Sequence, residues 1–110
     1  KGESSASIRA RVNAARKFTD ERLRRGGDTP GVLNAKMTTK MLHKYCTPTE
    51  EGSQLMKDAF VSLGLSARGH DRVLRVARTI ADLDNSEQIT EEHIAEAIQY
   101  RSIDRKYWGN

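Results

Sequence analysis

Gly64-Leu65-Ser66-Ala67-Arg68-Gly69-His70-Asp71-Arg72-Val73-Leu74-Arg75-Val76-Ala77-Arg78-Thr79-Ile80-Ala81-Asp82-Leu83 decides the fold. Gly64 suits the left-handed position that ends a preceding helix, and Ser66 is placed to accept a backbone hydrogen bond as an N-cap. Beyond the cap, Val73, Ala77, Ile80 and Ala81 recur at helical spacing, and Leu74 and Val76 widen the stripe. A helix apolar over nearly two faces belongs near the centre of a small bundle. Arg68 departs from that pattern, because a cation in the first turn opposes the helix dipole. Two readings of it stand: an arginine reaching over the surface into water, or a donor fork for an anion such as phosphate.

Working outward, the preceding segment carries a start signal at Thr47-Pro48-Thr49-Glu50, with Pro48 at the first helical position and Glu50 closing a capping box on Thr47. This predicts a helix to Leu63 that turns Leu55, Met56, Ala59, Phe60 and Leu63 inward. Upstream, Thr38 or Thr39 caps a short helix through Tyr45, and Leu33–Met37 reads as extended or irregular. The first helix starts at Ser4 or Ser5 and runs to about Arg25, with Ile8, Val12, Ala15, Thr19 and Leu23 on one face. After the central helix, Asp84-Asn85-Ser86 turns the chain and Thr90 caps a last helix built on Ile94, Ala97 and Ile98. Ile103, Tyr107 and Trp108 interrupt a polar tail, either folding back or marking a contact. The fold class is all-α, a bundle of four to five helices in a single domain spanning 1–110.

Length and charge narrow the function. A chain of 110 residues supports one core. The net charge of +4 is unevenly placed: residues 1–25 carry +5 and the remainder −1. Arg9, Arg16, Lys17, Arg24 and Arg25 cover the outer part of the first helix, as a solvated face or as a contact to DNA or a neighbouring subunit. Gly26 and Gly31 have the spacing of a phosphate-binding loop, but Val32 and Leu33 follow instead of Lys and Ser or Thr, and no strand precedes them. The chain therefore holds no nucleotide site of its own. Cys46 alone cannot form an internal disulfide and is expected to be inert packing in a reducing compartment. His43, His70 and His93 lack metal-ligand spacing, so no metal site is expected. No apolar run reaches membrane-spanning length.

The central stretch carries a resemblance. Leu65-Ser66-Ala67-Arg68 with Arg72-Val73-Leu74-Arg75-Val76-Ala77-Arg78-Thr79-Ile80-Ala81-Asp82-Leu83 resembles the C-terminal domain of the bacterial magnesium-chelatase-like AAA+ ATPases of the ComM/YifB type. Gly2-Glu3-Ser4-Ser5, Ile8-Arg9-Ala10-Arg11-Val12, Leu33-Asn34-Ala35-Lys36-Met37, Tyr45-Cys46 and His93-Ile94-Ala95-Glu96-Ala97-Ile98-Gln99-Tyr100-Arg101 extend it over nearly the whole chain. The resemblance implies the helical lid of an ATPase module, with Arg68 as the sensor 2 arginine facing ATP and Mg bound in an absent large domain. Arg72, Arg75 and, further along, Arg78 would bind nucleotide or dock the lid. It also implies a homo-oligomeric, hexameric ring in the cytoplasm that moves DNA in branch migration during natural transformation. The lid is not an enzyme on its own. The chain begins at Lys1, not Met, and is expected to be a fragment of a longer ATPase carrying the Walker motifs. Two departures stand out: His70 where an aromatic commonly follows the arginine by two residues, and Thr19 in place of glutamine. The reading from a different class is a free-standing basic helical module that binds nucleic acid.

Overall fold

The computed structural model describes the backbone of residues 4–108 and the side chains of residues 4–100. Five α-helices follow one another among the described residues: α1 (Ser5–Arg25), α2 (Thr39–Tyr45), α3 (Glu50–Ser62), α4 (Ala67–Leu83) and α5 (Glu91–Trp108). A 3-10 turn at Asn34–Lys36 lies between α1 and α2. The aromatic side chains of the expected tail, Tyr107 and Trp108, lie outside the described residues.

Each helix begins where a short polar side chain can take an orphan backbone donor. Ser4, Thr38, Thr49 and Ser66 accept from the amides of Ser7, Met41, Gly52 and Gly69 at 3.0–3.2 Å. The start of α3 corrects the sequence reading. Thr49, not Thr47, is the cap, and Pro48 stays outside the helix in an isolated parallel bridge with Ile89. Thr49 donates its amide to the Ile89 carbonyl at 2.9 Å, so a contact from the turn before α5 fixes where α3 starts. Gly64 has φ +63° and closes the α3–α4 turn in the conformation that glycine adopts at little cost. At α5, Thr90 donates its amide to His93 Nδ1 at 3.0 Å, so a histidine fills the place a glutamate takes in a capping box.

α4 is the axis of the bundle, packed against α1, α2, α5 and the 3-10 turn. Val73, Leu74, Ala77 and Ala81 are buried there with Leu23, Leu42, Met56, Ile89, Ile94 and Ala97. Two expected inward sets are narrower than periodicity suggested. α3 packs chiefly on α5, so Met56 and Ala59 are buried while Phe60 and Leu63 are 42% and 44% exposed. On α1, Ala15 and Leu23 are buried but Ile8 is not. Within Leu33–Met37 the end residues Leu33 and Met37 are extended, as expected, and Asn34–Lys36 between them forms the 3-10 turn, which docks on α4. Arg75 Nη2 donates to the Met37 carbonyl at 3.0 Å.

A single carboxylate ties these elements together. Asp82, 2% exposed, accepts two hydrogen bonds from the Arg22 fork at 2.7 and 2.9 Å. It also accepts from Thr19 Oγ1 and Asn34 Nδ2, both at 2.9 Å, and from Arg78 Nε at 3.1 Å. Arg78 is equally buried and donates onward to the carbonyls of Tyr45, Glu87 and Ser86 at 3.2, 3.1 and 2.7 Å. Residues from α1, the 3-10 turn, α2, α4 and the α4–α5 turn thus meet at one ion cluster. Burial pushes the Asp82 pKa up. The Arg22 and Asn34 hydrogen bonds and the charges of Arg78 and Arg22 outweigh it and hold the carboxyl below its ordinary value of 3.8.

A second polar contact fixes the end of α1. The Tyr45 hydroxyl donates to Asp28, and Lys44 Nζ reaches the Gly26 carbonyl. A Cβ at Gly26 would come within 2.8 Å of the Tyr45 ring, so the ring seats only over glycine. Cys46 lies beneath, 2% exposed, and burial pushes its thiol up to about 11. That makes it an unreactive packing residue.

Asp82→Ala strands Arg22 and Arg78 beside each other and is expected to cost about 3–5 kcal/mol in urea unfolding. A loss below about 1 kcal/mol would show that the cluster contributes little. Because the folded pKa of Asp82 is depressed, its contribution is present above pH ~4 and is lost as pH falls through the folded value. The stability gap between the wild type and Asp82→Asn is therefore expected to shrink below about pH 4, read from melting curves at successive pH values.

Candidate functional site

The arginines of α4 divide into two groups by what they touch. Arg68 and Arg72 sit one turn apart, are exposed, and have no ion pair or side-chain hydrogen bond among the described residues. Arg75 and Arg78, further along, are engaged within the bundle. Arg75 is spent on the Met37 carbonyl and Arg78 on Asp82 and three carbonyls. Arg68, Arg72, Arg75 and Thr79 fall along one side of α4, and the second half of that row is covered by the 3-10 turn, where Asn34 Nδ2 donates to Thr79 Oγ1 at 3.1 Å. Asp71 and Arg75, at i, i+4, form no ion pair among the described residues. Asp71 lies 3.4 Å from His70 Nδ1 instead.

Arg68 stands where the chain is stiff. The Ser66 cap fixes the turn, and the amide of the next residue but one, His70, donates to the Ser66 carbonyl at 2.8 Å. His70, at the position of the expected aromatic, packs edge-on against Phe60 with ring centroids 5.8 Å apart. Between α3 and the first turn of α4 lies an open groove of about 620 Å³, lined by Lys57, Phe60, Val61, Ala67, His70 and Asp71. Gln54 and Asp58 also line it, so its wall mixes charged groups with the exposed apolar side chains of Phe60 and Val61, the latter 81% exposed. An exposed arginine flanking such a groove can hold an anion presented by a surface seated there.

Residues 2–101 match the family described as magnesium chelatase, subunit ChlI C-terminal. The chain belongs to this family. The uncharacterized protein YifB of Salmonella typhimurium is 41% identical over 96% of the chain, and that of Escherichia coli is 40% identical over 94%. The competence protein ComM of Haemophilus influenzae is 36% identical over 96% of the chain. The chain spans about a fifth of the length of these relatives, 19% in each case.

Outside α4, the basic residues singled out on α1 separate too. Arg16, Lys17 and Arg24 are exposed, whereas Arg25 lies 3.7 Å from Glu87. Arg22 is drawn inward to Asp82, which composition alone did not reveal. The signal was present as Arg78 and Asp82, a pair at i, i+4 in which each residue follows an alanine of the apolar stripe, Ala77 and Ala81. Among the described residues no group of three or more His, Cys, Asp or Glu side chains is placed to hold a metal ion. No helix there is long and apolar enough to cross a membrane. His93 is buried between the Thr90 amide and Asp84 Oδ2.

Since Arg68 and Arg72 hold nothing inside the bundle, replacing either by Ala is expected to change unfolding free energy by less than about 1 kcal/mol. Arg78→Ala is expected to cost several times more, because it leaves Asp82 and three carbonyls short of donors. Equal losses at Arg68 and Arg78 would contradict this division.

Proposed function

We propose that this chain is the C-terminal lid of a ComM/YifB-type AAA+ ATPase, with Arg68 as its sensor arginine. The observation that carries the reading is Arg68, exposed and without a partner among the described residues, on the capped first turn of α4 in a chain of the magnesium chelatase C-terminal family. A guanidinium held there supplies positive charge to the γ-phosphate of ATP seated on the large domain, with Mg bound in that domain. Arg72, one turn further, is the second candidate for nucleotide contact. Arg75 leaves the nucleotide group, since it braces the 3-10 turn.

The exposed apolar side chains of Phe60, Val61 and Leu63 support the same reading, as a seat for the large domain of the same chain. Rigidity of the lid matters to the mechanism. With α4 locked to α1 and α2 through Asp82, a displacement of Arg68 on loss of the γ-phosphate turns the bundle as one body. That rotation would reach the neighbouring subunit of a hexameric ring and so move DNA, as in branch migration during natural transformation. The name of the Haemophilus influenzae relative, a competence protein, agrees with this.

In the parent ATPase, Arg68→Ala is expected to slow steady-state ATP hydrolysis at least tenfold, or about 1.4 kcal/mol in the barrier. Arg68→Lys is expected to restore only part, because lysine keeps the charge but not the planar fork. Wild-type turnover in Arg68→Ala would falsify the sensor assignment. The 110-residue chain alone is expected to bind ATP negligibly by calorimetry, and micromolar affinity would point to a nucleotide site within the bundle.

A further inference from the structure

Four of the seven cations of α1 share one face, while Arg11, Arg22 and Arg25 lie around the rest of the helix. Arg9, Arg16 and Arg24, seven and eight residues apart, fall on one outward face with Lys17 beside them. All four are exposed, and none has an ion pair or side-chain hydrogen bond among the described residues. Asp20 lies within the same face and accepts from the Gly31 amide at 2.8 Å, so the face carries four cations against one anion. Glu21 stands on the flank. Arg25, the remaining cation of that end, is turned to Glu87. The unpaired row runs for about 22 Å at 1.5 Å per residue.

The side chains between these cations decide the kind of partner. Ala6, Ala10, Asn13 and Ala14 are small and exposed, so a polymer backbone can approach the helix closely. None of the exposed large apolar side chains lies on this face; Ile8 is on the opposite side of the helix. A protein interface would be expected to bury aromatic or aliphatic anchors, and this face offers none. No aromatic ring is available for base stacking either: Phe18 lies on a different face, beneath the Arg22 guanidinium at 5.9 Å. What remains is a mainly arginine row, interrupted by Asp20, that can meet phosphates and has nothing to read a base.

We infer that Arg9, Arg16, Lys17 and Arg24 form a sequence-independent contact to the phosphate backbone of duplex DNA. The choice of DNA as the polyanion rests on the proposed function; the surface itself does not depend on Arg68. Four phosphate contacts release counterions, so they contribute a salt slope of about 0.9 each.

The test uses the parent protein and two duplexes of equal length and unrelated sequence, with affinity measured across a salt series. Replacing the four cations by Gln is expected to weaken binding at least tenfold and flatten the salt slope by about 3 to 4, equally for both duplexes. Removing Lys36, Lys40 and Lys57, cations off this face, is expected to leave most of the slope. An unchanged slope in the quadruple variant would overturn the inference. So would an equal loss in the Lys variant, a strong preference between the two duplexes, or equal affinity for polyglutamate, which would make the partner an acidic protein. Thermal melting of the quadruple variant within a few degrees of wild type keeps misfolding out of the comparison. Failure of the lid reading is separable: normal ATP turnover in Arg68→Ala with a flattened slope in the quadruple variant would remove the sensor and leave the DNA face.

Discussion

Everything in this bundle depends on one buried aspartate receiving more donors than its charge requires. Asp82 accepts five hydrogen bonds from four residues, two of them arginines. The aliphatic core beside it is modest, built largely of alanine, leucine and isoleucine with few aromatics. Such a core is non-directional and would tolerate several helix arrangements. The Asp82 cluster is directional. Arg22 meets it through both terminal nitrogens, Asn34 brings in the 3-10 turn, and Arg78 passes the constraint on to the ends of α2 and α4. A desolvated ion cluster adds little net stability compared with a well-packed apolar one. Its effect is to select one arrangement, since any slip of α1 along α4 separates Arg22 from its partner.

That selection explains how an arginine-rich chain can use the same residue type for opposite purposes. Arg22, Arg75 and Arg78 are consumed in building the frame. Arg68 and Arg72 stand at the far end of α4, and Arg9, Arg16, Lys17 and Arg24 line the outer face of α1, with their charge unmatched inside the bundle. Each of the two outward sets is held in place by the inner one. A stiff frame matters more for these outward arginines than for a packing residue. A guanidinium displaced by an ångström or two no longer hydrogen-bonds the anion it faces, whereas an apolar side chain moved as far still excludes water.

Most of the fold is legible in the sequence. Ser66, Gly64 and the Val73–Ala81 stripe locate α4 from local chemistry, and Ser4, Thr38 and Asn85 act as read. Thr47 and Pro48 misled because two threonines flank the proline, and the choice between them is made by Ile89, forty residues away. The inward faces of α3 were overstated because periodicity shows which residues can be buried, not whether a neighbour exists to cover them. At the candidate site, the sensor role of Arg68 remains what the family resemblance implies, while its exposure was legible from its odd place in a first turn. The fates of Arg22, Arg75 and Arg78 were not, since an arginine reads alike in sequence whether it meets water or a carboxylate from a distant helix. Only the i, i+4 pairing of Arg78 with Asp82 inside an apolar stripe hinted at a buried pair.

Centrally, the arginines of α4 are partitioned, the inner ones fixed in the frame around Asp82 and the first one free for a phosphate. A crystal structure of the parent ATPase with a non-hydrolysable ATP analogue tests this most directly. The Arg68 guanidinium is predicted within about 3 Å of a γ-phosphate oxygen, with Arg78 still on Asp82 and the bundle unchanged internally. Arg68 left in solvent while Arg75 or Arg78 leaves its present partners for the nucleotide would contradict it.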